Sequence, residues 1–142
     1  MPVVDASIVV DWVAPGAERG LAALRLLDRF AAEDAEIFAP RLLFEEVSNA
    51  LLTGVRRRRW SGTAADAGHA MLRQLPVKLV DEPRDLDRAW DLSRRYDEHP
   101  IYDMLYVAVA ERRRMQLVTA DQALRKLLIG LDWIVAPEEL LP

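Results

Sequence analysis

The stretch Ile101-Tyr102-Asp103-Met104-Leu105-Tyr106-Val107-Ala108-Val109-Ala110-Glu111-Arg112-Arg113, followed by Leu117-Val118 and then Thr119-Ala120-Asp121, decides the fold class. Its first part reads as a helix that is apolar on nearly every side, so it must be enclosed on nearly every side. Its second part is too short and apolar to be anything but a buried strand ending at an acid. A buried helix feeding directly into a buried strand is one unit of a layered α/β protein. The same alternation recurs on both sides. Upstream lie a strand at Val3-Val4, a short helix Ile8 to Val13 with Ser7 where a cap would sit and stopped by Pro15-Gly16, and an amphipathic helix Ala17 to Glu33 set by Leu21, Leu24, Leu27 and Phe30. A strand Ile37-Phe38-Ala39 closes at Pro40, and helices follow at Arg41 to Arg57 and, with Ser61 as cap, Ser61 to Gln74. Val77 to Val80 reads as a strand, Asp85 to Tyr96 as a helix, and Asp97 to Pro100 as a break. Downstream come a helix Asp121 to Leu128 and a last strand Trp133 to Val135. The pattern predicts one domain of α/β class, with a short, mostly parallel sheet between layers of helix.

Composition narrows the chemistry. The 142 residues carry a formal charge of −4, 51% are apolar and 30% are charged, which fits a globular protein with a sizeable core. With no cysteine, disulfides, thiolate metal sites and a cysteine nucleophile are excluded. Two histidines, His69 and His99, are too few for a multi-histidine metal centre. The longest apolar run, Met104 to Ala110, is far too short to span a bilayer, and Asp5 and Asp11 spoil any leader-like reading of the N-terminus. The cytoplasm is the expected compartment.

In parallel α/β sheets, ligands gather beyond the carboxyl ends of the strands. Asp5 ends the first strand there, and Asp121 follows the Leu117-Val118 strand. Glu46 lies on the apolar helix Leu42 to Leu51, in a polar stripe with Asn49 and Thr53, and Asp103 stands in the first turn of the most apolar helix. Singly, each has an ordinary explanation: Asp5 and Asp121 as helix caps, Asp103 as a first-turn acid and Glu46 as a surface glutamate. Jointly, two acids at neighbouring strand ends and two on flanking helices can share one cleft. Two carboxylates about 5 Å apart repel by roughly 3 kcal/mol at an effective dielectric of 20. Such a group calls for a cation or a proton. With oxygen ligands alone on offer, the cation is Mg²⁺ or Mn²⁺. Phosphodiester hydrolysis is a common use of such a site.

At these residues the chain resembles the PIN-domain proteins, and within them the VapC-type toxins of type II toxin–antitoxin pairs. Val3-Val4-Asp5-Ala6-Ser7 resembles the first-strand motif. Ala39-Pro40 through Glu46-Val47-Ser48-Asn49-Ala50-Leu51 resembles the second motif, and Tyr102-Asp103-Met104-Leu105-Tyr106-Val107-Ala108-Val109-Ala110 the third. Leu117-Val118-Thr119-Ala120-Asp121 resembles the fourth. The resemblance implies a PIN-like α/β/α sandwich and a metal-dependent endoribonuclease. It also implies an RNA substrate, a VapB-type antitoxin that inhibits the enzyme, and a homodimer. Carried over by position, Asp5, Glu46, Asp103 and Asp121 would be the catalytic metal ligands, with Ser7, Asn49 and Thr119 as supporting polar residues. Met104 stands where the family often has a smaller residue, which bears on packing beneath the site.

Other residues carry weaker signals. Positive charge is nearly all arginine, with lysine only at positions 78 and 126, and it clusters at Arg56 to Arg59 and Arg112 to Arg114. Such runs read as solvated helix ends or as a phosphate-facing or partner-facing rim. Arg56, Arg57, Arg58, Arg59 and Trp60 are the best rim candidates. Glu45 points about 100° away from Glu46 around the helix. Asp81, Asp85, Asp97 and Glu98 read as turn and cap residues, His99 as a loop residue with proton transfer as the lesser reading, and His69 as structural. Trp12, Trp60, Trp90 and Trp133 read as core or interface anchors. Two other functions stay open: an inactive PIN-like protein-binding module, and a metal-dependent DNA or flap nuclease, which the compact length disfavours.

Overall fold

A computed structural model describes residues 1–16 and 21–142, and of Leu21 the backbone alone. In it five short strands form one all-parallel sheet: β1 (Val3–Val4), β2 (Ile37–Pro40), β3 (Val77–Val80), β4 (Leu117–Val118) and β5 (Ile134–Val135). Their order is β3-β2-β1-β4-β5. Val3 pairs with Phe38 on one side and Leu117 on the other, so the two-residue β1 is the centre of the sheet. β1, β2, β4 and β5 are buried along their whole length, as the unbroken apolar runs require.

The helices are α1 (Ala6–Val13), α2 (Leu21–Ala32), α3 (Leu43–Arg56), α4 (Gly62–Leu72), α5 (Arg84–Arg95), α6 (Ile101–Arg113) and α7 (Gln122–Leu127). The first residues of the expected Ala17–Glu33 helix, 17–20, lie outside the described residues. α3 begins two residues later than expected, because Arg41 and Leu42 form a turn after Pro40. A 3₁₀ turn at Pro137–Leu140 follows β5 and packs on α2.

Topology fixes where the helices go. The chain steps outward from β1 to β2 to β3, then returns to lay β4 on the other side of β1. Parallel crossovers are right-handed almost without exception, so this reversal sends α1–α4 to one face and α5–α6 to the other. α1 packs on α2, α3 and α4, while α6 lies directly on β1, β2 and β4 with α5 beside it. Met104, Tyr106 and Val107 to Ala110 are buried, in keeping with the apolar circumference of α6. α4 reaches α1 only because position 68 is glycine: a Cβ there would stand 2.4 Å from the Val13 carbonyl oxygen.

Two arginines of the second run are engaged with neighbouring elements. Arg112 makes a two-pronged ion pair with the buried Asp85, Nε to Oδ1 at 2.7 Å and Nη2 to Oδ2 at 2.9 Å. Arg113 lies 4.2 Å above the Phe38 ring. Asp85 is therefore the bolt between α5 and α6 rather than a turn residue, with Arg112 paired to it and Arg113 resting on an aromatic ring.

Candidate active site

The strand order reverses between β1 and β4, and the crevice beyond the carboxyl ends of these two strands is where an open parallel sheet binds ligands. Asp5 leaves β1 at that point and Thr119 leaves β4. Crossover helices run back against their strands, so their N-termini open on the same end. Asp5 stands at the N-cap of α1, Glu46 and Asp103 in the first turns of α3 and α6, and Asp121 at the N-cap of α7. Each acid thus meets the positive end of a helix dipole, which favours its charge by about 0.3–1 kcal/mol.

Asp5 is the most enclosed of the four, only 5% exposed. Although it holds the N-cap position, its side chain does not cap α1. Instead Oδ2 accepts from Ser7 Oγ at 2.7 Å and from the fully buried Thr119 Oγ1 at 2.8 Å. Ser7, read in sequence as the helix cap, is drawn away to this task. Its Oγ also accepts the Ala120 N–H at 3.0 Å, which ties α1 to the end of β4. Burial pushes the Asp5 carboxyl above its ordinary value, the two hydroxyls pull it back, and the Asp103 charge pushes it up again.

Glu46 is half-buried, and Oε1 is buried without a hydrogen-bond partner. Its carboxyl is also raised, first by burial and then by the charges of Asp5 and Asp103. The neighbouring Tyr106 phenol opposes that rise. Tyr106 itself is fully buried, and its hydroxyl has no partner of good hydrogen-bond geometry. Burial and the charges of Glu46, Asp5 and Asp103 hold it strongly protonated. Three acids from β1, α3 and α6 therefore feel one another across the crevice.

Asp103 has a partner that the sequence did not suggest. His99 Nε2 stands 2.6 Å from Asp103 Oδ2, across the break before α6. The spacing of four residues was the available signal, but it spans Pro100 rather than a continuous helix. Tyr106 could have been found as the one polar atom on the buried side of α6, three residues after Asp103.

Asp121 is engaged differently. Its Oδ1 accepts the Leu124 N–H at 3.0 Å and caps α7, and its own N–H donates to Thr119 Oγ1 at 3.1 Å. It therefore joins the cluster through Thr119 rather than by facing the other acids. Asn49 is exposed one turn beyond Glu46 and makes no hydrogen bond to the acids among the described residues. Glu45 turns outward to line a groove with Arg41 and Leu42. Trp12 is buried, donating Nε1 to the Ala23 carbonyl at 2.7 Å, and so is a core anchor.

As the side chains stand, no three acids or histidines among the described residues are close enough to grip one ion together. The donor set still suits a hard divalent cation: carboxylate oxygens, mutually repelling and partly buried.

Known proteins agree with this architecture. The family model for the PIN domain matches residues 3–128. Ribonuclease VapC3 of Mycobacterium tuberculosis is 37% identical over 126 residues, covering 87% of this chain and 85% of that protein. Among solved structures, a Pyrobaculum aerophilum protein has a TM-score of 0.69 at 24% identity, covering 98% of this chain and 90% of its own. VapC20 of M. tuberculosis, described as a sarcin-ricin loop cleaving toxin, has a TM-score of 0.69 at 21% identity, covering 94% and 98%. A toxin–antitoxin complex from Klebsiella pneumoniae has a TM-score of 0.63 at 17% identity, covering 96% and 98%. With the fold, the acids at the strand ends and the identity to VapC3 in agreement, this chain belongs to the PIN-domain family, among its VapC ribonucleases.

Proposed function

We propose that the chain is a Mg²⁺- or Mn²⁺-dependent endoribonuclease and the toxin of a type II toxin–antitoxin pair, acting in the cytoplasm as a homodimer. The observation that carries the enzymatic reading is the convergence of Asp5, Glu46 and Asp103, with the Asp5 and Glu46 carboxyls raised by burial and by neighbouring carboxylate charge. A fold keeps mutually repelling, partly desolvated carboxylates only where something compensates them. Asp5, Glu46 and Asp103 would hold the metal, and Asp121 would join them at the rim. When bound, divalent cations activate water and stabilise the attacking and leaving oxygens of phosphodiester hydrolysis. Ser7 and Thr119 orient Asp5 by holding Oδ2, which leaves the direction of its other oxygen fixed. Tyr106 braces Glu46 from beneath. Asn49, exposed beside Glu46, is placed to meet substrate or water.

The antitoxin and the RNA substrate follow from the kinship with VapC ribonucleases. A cognate VapB-type chain would hold the enzyme inactive until released. The competing reading, an inactive binding module, draws on the engagement of Asp103 by His99 and of Asp121 by the α7 cap.

One experiment separates them. The partner-free chain is incubated with labelled tRNAs, rRNA fragments and mRNAs in Mn²⁺, Mg²⁺ or EDTA, beside Asp103→Ala. Metal-dependent cutting lost in the variant supports the nuclease and names its substrate. The absence of both cutting and thermal stabilisation by Mn²⁺ supports the binding module.

A further inference from the structure

Six arginines already have a carboxylate. Arg29 pairs with Glu33, Arg41 with Asp81, Arg84 with Glu82, Arg88 with Glu111, Arg94 with Glu98 and Arg112 with Asp85. The run Arg56-Arg57-Arg58-Arg59 is different. All four are exposed, and none has an ion-pair partner among the described residues. Nor are the guanidiniums used to cap α3. The N–H groups of Arg57, Arg58 and Arg59 bond the carbonyls of Thr53, Val55 and Gly54 at 2.9, 3.0 and 2.8 Å, so backbone alone closes the helix. Arg58 takes a left-handed φ of 58°, a position that helix ends ordinarily give to glycine or asparagine. The turn is pinned from beneath: Trp60 Nε1 donates to the Leu51 carbonyl at 3.0 Å, and its ring covers Gly54 so closely that a Cβ there would lie 2.1 Å away. Four cations without a carboxylate partner among the described residues thus stand together at the end of α3.

The run is tied to the acids by a single helix. Glu46 opens α3 and Arg56 ends it, about 15 Å apart along the axis. Glu46, Asn49, Thr53 and Arg56 fall at successive three- and four-residue spacings, on one face, and Arg56 Nη2 donates to Thr53 Oγ1 at 3.2 Å. A polyanion approaching three carboxylates, on a chain of net charge −4, is repelled unless cations hold it elsewhere. We propose that Arg56 to Arg59 form a phosphate-binding anchor for the RNA strand flanking the cut, which runs along α3 from the acidic crevice to this turn. This deepens the proposed ribonuclease reading and rests on it for the identity of the strand. An acidic segment of a protein partner also fits the charge. RNA is favoured because the polar face of α3 leads straight to the acids.

The test measures binding without cleavage. A fluorescent mixed-sequence single-stranded RNA of 15 nucleotides is titrated in EDTA across a KCl series. The ligand meets the wild type, a variant with Arg56, Arg57, Arg58 and Arg59 all changed to Gln, and the matching Lys variant. Each phosphate released from contact changes the slope of log K against log salt by about 0.7. The Gln variant is expected to flatten that slope by about 2–3, with unchanged melting temperature and Mn²⁺ titration, while the Lys variant keeps the wild-type slope. An unchanged slope in the Gln variant overturns the proposal, and failure of that variant to retain a co-expressed partner chain would then assign the turn to a protein. Cleavage is a separate readout. A flattened slope in a chain that neither cuts RNA nor is stabilised by Mn²⁺ upholds the anchor and sinks the nuclease, whereas Asp103-dependent cutting with an unchanged slope does the reverse.

Discussion

Thr119 Oγ1 donates to Asp5 Oδ2 at 2.8 Å, joining the ends of the two central strands at a fully buried hydroxyl. The same oxygen accepts the Asp121 N–H at 3.1 Å, so one side chain organises two of the acids. Thr119→Val keeps the shape and removes both bonds. It is expected to cost about 1–3 kcal/mol, the penalty for stranding buried polar groups, whereas Thr119→Ser should lose less. Urea unfolding with an unchanged m-value gives the comparison, and equal losses in the two variants would show that the hydroxyl is not the stabilising feature.

The raised carboxyls of Asp5 and Glu46 set a pH dependence of definite sign. In the folded chain these groups keep protons that the unfolded chain has already released. Their contribution is therefore most favourable below the ordinary carboxylate range and is lost as pH rises through their raised folded values. In EDTA, Asp5→Asn should melt above the wild type at pH 8, and the gap should close toward pH 4. The amide oxygen can still accept from Ser7 and Thr119. A variant that melts lower at pH 8 would show that Asp5 is stabilising as an anion.

The Asp85–Arg112 pair is expected to matter more than any surface pair. Asp85 is 5% exposed while the Arg112 side chain is 32% exposed. Asp85→Ala leaves Arg112 uncompensated but still able to reach water. A loss of about 2 kcal/mol is expected, below the 3–5 kcal/mol typical of fully buried pairs. Arg88→Ala, which breaks the more exposed pair with Glu111, should cost under about 1 kcal/mol by the same measurement.

Gly68→Ala should destabilise despite the better helix propensity of alanine, worth about 1 kcal/mol. The new methyl meets the Val13 backbone at 2.4 Å, and neither helix can yield by turning a side chain. A net loss of about 1–3 kcal/mol is expected. Gly62→Ala is the control, because a Cβ there meets nothing within 4 Å and should be neutral or stabilising. Melting temperatures of the two variants decide it.

The backbone plan was largely readable in the sequence because it rests on local signals. Apolar runs of two to four residues became strands, and α6 became the helix lying on the sheet because no side of it is polar. Asp5 at a strand end needed only topology to find its place. What the sequence hid were pairings between distant residues. Nothing local distinguishes Arg112 from Arg58, yet one is locked to an aspartate 27 residues away and the other is free of any carboxylate among the described residues. His99 is a loop residue, as it reads, but its partner lies beyond a proline. Ser7 looked like a cap because capping is the commoner local use of serine, and a hydroxyl from β4 redirected it. Asp121, grouped with the other acids by spacing, does cap a helix, since the turn after β4 brings the Leu124 N–H within its reach.

The hydrogen bond that steadies Asp5 joins residues 114 positions apart, and the acids on α3 and α6 lie between them in the chain. β4 must pair with β1 before that bond can form. During synthesis, then, the first carboxylate emerges long before the groups that complete its surroundings. The acidic cluster therefore stays in separate pieces until the last third of the chain has left the exit tunnel.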